Sequence, residues 1–349
     1  MPPLLYTPVR TAPAWRLVGR LCAPVAGALM LTAAVPVQAK LPFIGNLFAK
    51  PVPPPSGPSA PPLPGSTPEA DFQTLLQRGT IPDLNLACQE AASFDFVTRL
   101  RLLRQRLMLV APAPQPLDTV LLNANALLSC RAPDDALVVL NRYGPKAGVE
   151  RDRWLILRWR AANAGLNHAV AAESLQLLAN GQLASLETVA LPLRLRDDGT
   201  LVTRAALDVL ADHLATLGRD QEAATVLLAA RMPGKAAAER LQQAVALLRQ
   251  RPVAERNQLL EQALDQAAAD GAWGLALALL HDQRQLLQAS GVSDEAARQR
   301  LLRLSQRVDD AYSELQARRQ DSQEGERAAQ LQQQLRSPRA PGGHATSHP

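Results

Sequence analysis

Between Glu69 and about Arg319, apolar residues recur at spacings of three and four. Leu100, Leu103, Leu107 and Val110 form one stripe, and Leu241, Ala244, Val245 and Leu248 form another. That period belongs to helices buried along one face. Thr67-Pro68, Pro82, Pro252 and Ser293-Asp294-Glu295 read as helix starts, where proline is tolerated. Gly165, Gly181, Gly218 and Gly271 read as stops or tight turns. The pattern predicts roughly ten or eleven helices of ordinary length, joined by turns into an array of α-hairpins. The fold class is all-α.

Two stretches depart from this rhythm. Leu191, Leu193 and Leu195 alternate with Pro192, Arg194 and Arg196 ahead of Asp197-Asp198-Gly199. A small β-hairpin fits that alternation, but Pro192 and the short length favour an extended loop between helices. At the other end, Ala297, Leu301, Leu304, Val308, Ala311 and Leu315 step as a heptad seam. They predict one terminal helix from about Asp294 to Arg319 that closes the array; a short dimeric coiled coil is the alternative. Residues 321–349 are polar, end in Pro and Gly, and are expected to fray.

Residues 1–39 read as an export signal. Arg10, Arg16 and Arg20 precede the uncharged stretch Leu21–Ala39, which ends in Val37-Gln38-Ala39. A retained membrane anchor is the alternative, since about 20 apolar residues cross a bilayer. Residues 40–68 form a linker in which nine of the eighteen positions from Pro51 to Pro68 are proline. Such a segment is extended and semi-rigid. The helical domain occupies 69–320.

Composition narrows the function classes. Aromatic residues are only 3% of the 349, so the core rests on Leu, Ala and Val. Three of the 37 basic residues fall in the acid-free leader, leaving 34 against 32 acidic ones. The remainder is close to neutral and its charges are dispersed, which excludes a nucleic-acid partner. With Cys22 in the leader, Cys88 and Cys130 remain; in an exported chain they form either a disulfide or two buried thiols.

No phosphate loop, GxSxG, HExxH or CxxC occurs. His168, His213 and His281 lie on separate hairpins and read as solvated or core-edge side chains, so no metal or cofactor is expected. Asp134-Asp135 and Asp309-Asp310 read as helix-start or solvated charges. The run Arg99, Arg101, Arg104 and Arg106 reads as a solvated helix edge, with an anionic-surface contact as the alternative.

Ala205–Arg231 resembles one tetratricopeptide-type hairpin: Leu210, Ala211 and Leu214, then Gly218 at the turn, then Ala223, Leu227 and Ala230. Ala136 and Leu140 match Ala223 and Leu227 in an earlier hairpin. Val170, thirty-four residues after Ala136 and behind Gly165, takes the same place with the alanine replaced. The interval then stretches to fifty-three, so the resemblance implies an irregular α-solenoid.

The resemblance also implies a groove lined by first-helix residues at set distances before each turn. Counting from Gly218, from Gly165 and from Arg131 gives the candidates Asp208 and Asp212, then Asp152, Trp159 and Asn163, then Asp118 and Asn125. The polar members would accept from a peptide backbone or a basic side chain, and Trp159 would anchor an apolar group. The plainer alternative makes them solvent-facing positions, with Trp159 packed between helices.

The function expected is an exported, periplasmic scaffold that binds a protein or peptide partner and has no catalysis of its own. A membrane-anchored spacer, or an envelope enzyme with an acid–base pair in the groove, are the alternatives.

Overall fold

The chain divides into two units, Met1–Pro61 and Pro62–Pro349. The computed structural model describes residues 66–110, 115–144, 149–196, 198–318 and 325–336, all within the second unit. The export signal and nearly all of the Pro-rich linker fall outside the described residues.

Among those residues the chain is predominantly helical. The helices are α1 (Glu69–Arg78), α2 (Ile81–Ser93), α3 (Val97–Val110), α4 (Leu117–Ser129) and α5 (Pro133–Leu140), followed by α6 (Val149–Ala164) and α7 (His168–Ala179). A short 3-10 turn (Leu183–Glu187) leads into β1 (Ala190–Leu195) and β2 (Leu201–Ala205). The helices then resume as α8 (Ala206–Thr216), α9 (Asp220–Leu228), α10 (Lys235–Leu247), α11 (Val253–Ala269) and α12 (Trp273–Ala289). The last are α13 (Glu295–Arg307), α14 (Ala311–Arg318) and α15 (Gly325–Arg336). From α4 to α15 each helix packs on the next, and α2 on α4, α4 on α6 and α10 on α12 also touch.

One turn geometry recurs seven times among the described residues. Asp95, Arg131, Leu166, Gly218, Gly271, Gly291 and Asp309 hold φ between 54° and 72°. In each case that residue's N–H donates to the carbonyl three residues earlier, and the next N–H donates to the carbonyl five earlier. These bonds satisfy carbonyls that the helix end would otherwise orphan. Gly165 is not the left-handed residue; Leu166 is. Gly165 is small for packing, since a Cβ there would lie 3.3 Å from the Pro133 ring at the start of α5.

This corrects the repeat register. Five residues after the turn residue come Ala136, Ala171, Ala223 and Ala276, all buried. The small residue is therefore kept in the third hairpin, as Ala171 and not Val170. Alanines there let paired helices approach while leucines such as Leu140, Leu175 and Leu227 fill the space beside them.

Three further expectations change. Residues 190–205 form an antiparallel hairpin in place of a loop. Pairing skips Leu193 between Pro192 and Arg194, and this bulge accommodates a proline with no N–H to donate. Gly199, at φ 80°, closes its turn. The terminal heptad does not run as one helix. It breaks at Asp309, and the Asp310 carboxylate accepts from the N–H groups of Tyr312 and Ser313, each at 3.1 Å, so α14 starts anew. Nor does the tail wholly fray. In α15 Leu331 is fully buried, and Arg327 donates to the buried Glu314 at 2.9 Å.

The basic run is more than a solvated edge. Arg99 lies over the Phe72 and Phe96 rings at 4.6 and 5.2 Å and donates to Thr67 O and Glu69. Arg104 donates to the carbonyls of Cys130 and Arg131, and Arg106 to that of Gln77, so both serve helix C-termini.

Cys88 in α2 and Cys130 at the end of α4 are joined as a disulfide, with both residues fully buried. The bond closes a loop of 42 residues, which should stabilise the first hairpins by about 2–4 kcal/mol. Urea unfolding of the Cys88→Ser, Cys130→Ser double variant is expected to show that loss. A change below about 0.5 kcal/mol, inside the scatter of ordinary surface substitutions, would remove the bond from the account of stability.

Candidate functional site

The corrected register decides which face of α6 meets α4. Thirteen, ten and six residues before Leu166 stand Arg153, Ile156 and Arg160. These three, with Leu157, line a cleft of about 530 Å³ against Asp118, Leu121, Leu122 and Asn125 of α4, with Pro192 of β1 at its edge. A slip of one residue turns a helical face by about 100°. The signal that locates the right face is Ala171, whose place behind the turn marks Leu166 as the turn residue.

The candidates from the sequence therefore divide. Asp118 and Asn125 line the cleft, where Arg153 donates to Asp118 at 3.0 Å and Arg160 to Asn125 at 3.3 Å. The Asp118–Arg153 pair is largely exposed and adds little stability. An adjoining hollow of about 260 Å³ shares Leu122 and Asn125 and reaches Ile81, Asn85 and Leu86 of α2. Leu86 and Leu122 are 64% and 52% exposed, so the hollow has an apolar rim open to solvent. Asp152 is exposed and Asn163 half-buried; neither lines the cleft.

Trp159 is no anchor for a ligand: it is 1% exposed. Its Nε1–H donates to His213 Nε2 at 3.1 Å, and His213 Nδ1 lies 3.0 Å from His168 Nδ1. Because Nε2 accepts from tryptophan, neutral His213 carries its proton on Nδ1 and donates it to His168. The two histidines, on separate hairpins in sequence, thus meet across α7 and α8. Burial pushes the His213 imidazole below its ordinary value, His168 adds to this, and Asp212 opposes it.

Asp208 and Asp212 tie α8 to its neighbours. Arg240 of α10 grips Asp208 through Nε at 2.7 Å and Nη2 at 3.2 Å, and through Nη1 it pairs with Glu187 of the 3-10 turn. Glu187 also accepts from the N–H groups of Arg231 and Met232. Burial raises the Glu187 carboxyl, but these donors and the Arg240 charge outweigh it and hold it below the ordinary range. Asp212 accepts from Arg204 at 2.6 Å and Gln243 at 3.3 Å. Among the described residues every carboxylate with a resolved shift lies below its ordinary value. No group of three or more ligating side chains forms a metal site among them.

Removing Arg240 deprives the Glu187 and Asp208 carboxylates of their shared cation and leaves Glu187 with the Arg231 and Met232 N–H groups alone. Arg240→Met is expected to cost about 3–5 kcal/mol in urea unfolding, and adding Glu187→Gln should recover part of it. A loss under about 1 kcal/mol, the most that an exposed pair gives, would show the cluster to be solvated.

Acid should weaken the fold through His213. Its folded-state value lies below 6.5, so as pH falls through 6.5 the unfolded chain binds a proton that the native one refuses. The stability present above that pH is lost on the way down. His281, also lowered by burial, adds to the slope. Unfolding free energy measured between pH 7.5 and 5.5 should decline, and less steeply for His213→Leu; parallel slopes would contradict the assignment.

In comparison with known proteins, no family model matches the chain and no curated protein matches it, so the cleft is read from its own geometry.

Proposed function

We propose that this chain is an exported α-solenoid that serves as a protein-interaction scaffold in the cell envelope, holding a peptide-like segment of its partner in the cleft between α2, α4 and α6. Sequential packing of helix on helix, with a repeated left-handed turn and a repeated buried alanine, supports the solenoid. The observation that carries the binding role is the cleft itself. Leu86 and Leu122 stand exposed beside Asp118, Asn125, Arg153 and Arg160. Apolar anchors set among paired but accessible polar groups suit an extended segment, whose side chains bury and whose backbone exchanges hydrogen bonds.

No catalysis is part of this reading; the alternative of an envelope enzyme would call for a carboxyl raised toward neutrality in the cleft. Export rests on the Arg10–Ala39 pattern. Retained, that same uncharged stretch would make the chain a tethered spacer, and N-terminal sequencing of the envelope-associated protein separates the two.

The test is crosslinking and capture from the cell envelope with the intact protein and with Leu122→Asp and Arg160→Glu. Both sites are on the surface, so helicity and melting should hold. Recovery of a specific partner should fall at least tenfold, equivalent to about 1.4 kcal/mol. Unchanged recovery with the fold intact would dismiss this cleft.

A further inference from the structure

A second cleft, of about 580 Å³, opens between α10 and α12, on hairpins distant in sequence from the first. Its volume lies in the range of sites for small ligands and peptide ends. Its apolar side is formed by Val245, Ala246, Leu286 and Ala289, and three charged side chains border it: Glu239, Asp282 and Arg256.

Arg256 is the cation that borders this cleft. Several other half-buried or buried arginines hold carboxylates, Arg99 with Glu69, Arg158 with Glu173, Arg240 with Asp208 and Arg284 with Asp294, while Arg104, Arg106 and Arg142 donate to backbone carbonyls. Arg256 is only partly exposed, its Nε is buried without an acceptor, and it forms no ion pair among the described residues. Its buried Nε is out of a ligand's reach, but the charge has no carboxylate beside it, and an anion in the cleft would pair with the terminal guanidinium nitrogens.

Two carboxylates share the cleft and still do not reach it, so opposite charges are held apart across one cavity. Asp282 is engaged through one oxygen by Gln242 at 2.6 Å, and Glu239 is only loosely approached by Lys235 at 3.7 Å. Both retain capacity to accept. Arg256 also borders the cleft between α9 and α11, where one carboxylate, Glu255, stands with two arginines, Arg251 and Arg256. Of the two, the α10–α12 cleft sets two carboxylates opposite a single guanidinium beside an apolar floor.

We infer that this cleft receives the C-terminal end of a peptide carrying a basic side chain. The terminal carboxylate pairs with Arg256, a fork that carboxylates match in two-point fashion. The basic side chain lies against Asp282 and Glu239, and the intervening apolar side chain covers Val245 and Leu286. The inference concerns a site separate from the α2–α4–α6 cleft and stands or falls without it.

The test uses the full exported protein and a dye-labelled pentapeptide ending Lys-Ala-Leu, read by fluorescence anisotropy at low salt. Three comparison ligands accompany it: the C-terminal amide, a version with norleucine for lysine, and free lysine. The free acid is expected to bind at least tenfold more tightly than the amide and severalfold more tightly than the norleucine peptide. Free lysine should bind far more weakly. Arg256→Gln should abolish the acid–amide difference, and Asp282→Asn the lysine–norleucine difference. Equal binding of acid and amide, free lysine equal to the peptide, no binding at millimolar concentration, or an unchanged Arg256→Gln would each overturn the inference. If Arg256→Gln melts early, the acid–amide comparison on the unaltered protein decides alone.

Discussion

Everything in this architecture depends on where the chain turns back. Each of the seven left-handed turns ends one helix and aims the next, and the turn residue sets the phase of every side chain counted from it. Four of the seven positions hold Asp, Arg or Leu and not glycine. An L-residue there costs about 1–2 kcal/mol, offset by the paired hydrogen bonds that close the turn and by the packing of the helices it joins. The constraint is strict because helices report phase errors by rotation: one residue moves a groove position into the core.

The α6 helix illustrates the point. Counting from Gly165, the eye-catching residue, leads to Trp159, which is buried against His213. Counting from Leu166 leads to Arg153, Ile156 and Arg160, which line the cleft. The all-α class and the helix starts at Pro82 and Pro252 were legible, because apolar spacing and proline placement are local signals. The candidates Asp118 and Asn125 were legible because Arg131 is both the visible and the actual turn residue. One further loss was non-local. The Trp159–His213–His168 contact joins residues 45 and 54 positions apart, and no periodicity predicts it. The break at Asp309 fell inside an uninterrupted heptad, where a capping carboxylate outcompeted the seam.

The same polar residue types serve different ends along the array. Asp118–Arg153 and Asn125–Arg160 bridge successive first helices in the open, and a partner can exchange with them cheaply because water already does. Asp208–Arg240 bridges α8 and α10 in the same manner but is sunk with Glu187 into the interior. There the charges are fixed ties, and a ligand has nothing to displace. Burial thus separates positions that a repeat pattern treats as equivalent.

Glu187 lies in the short 3-10 turn that opens the added segment between α7 and α8, and its partners all come from later in the chain: Arg231, Met232 and Arg240. Helical arrays are in general divisible, since a unit contacts only its neighbours and the ends can be shortened or extended. This one is not divisible at that point. A fragment that stopped after α9 would retain the carboxylate and lose the guanidinium and both N–H donors that make its burial tolerable. The insertion therefore works as a weld, committing the hairpins before it and after it to a single length.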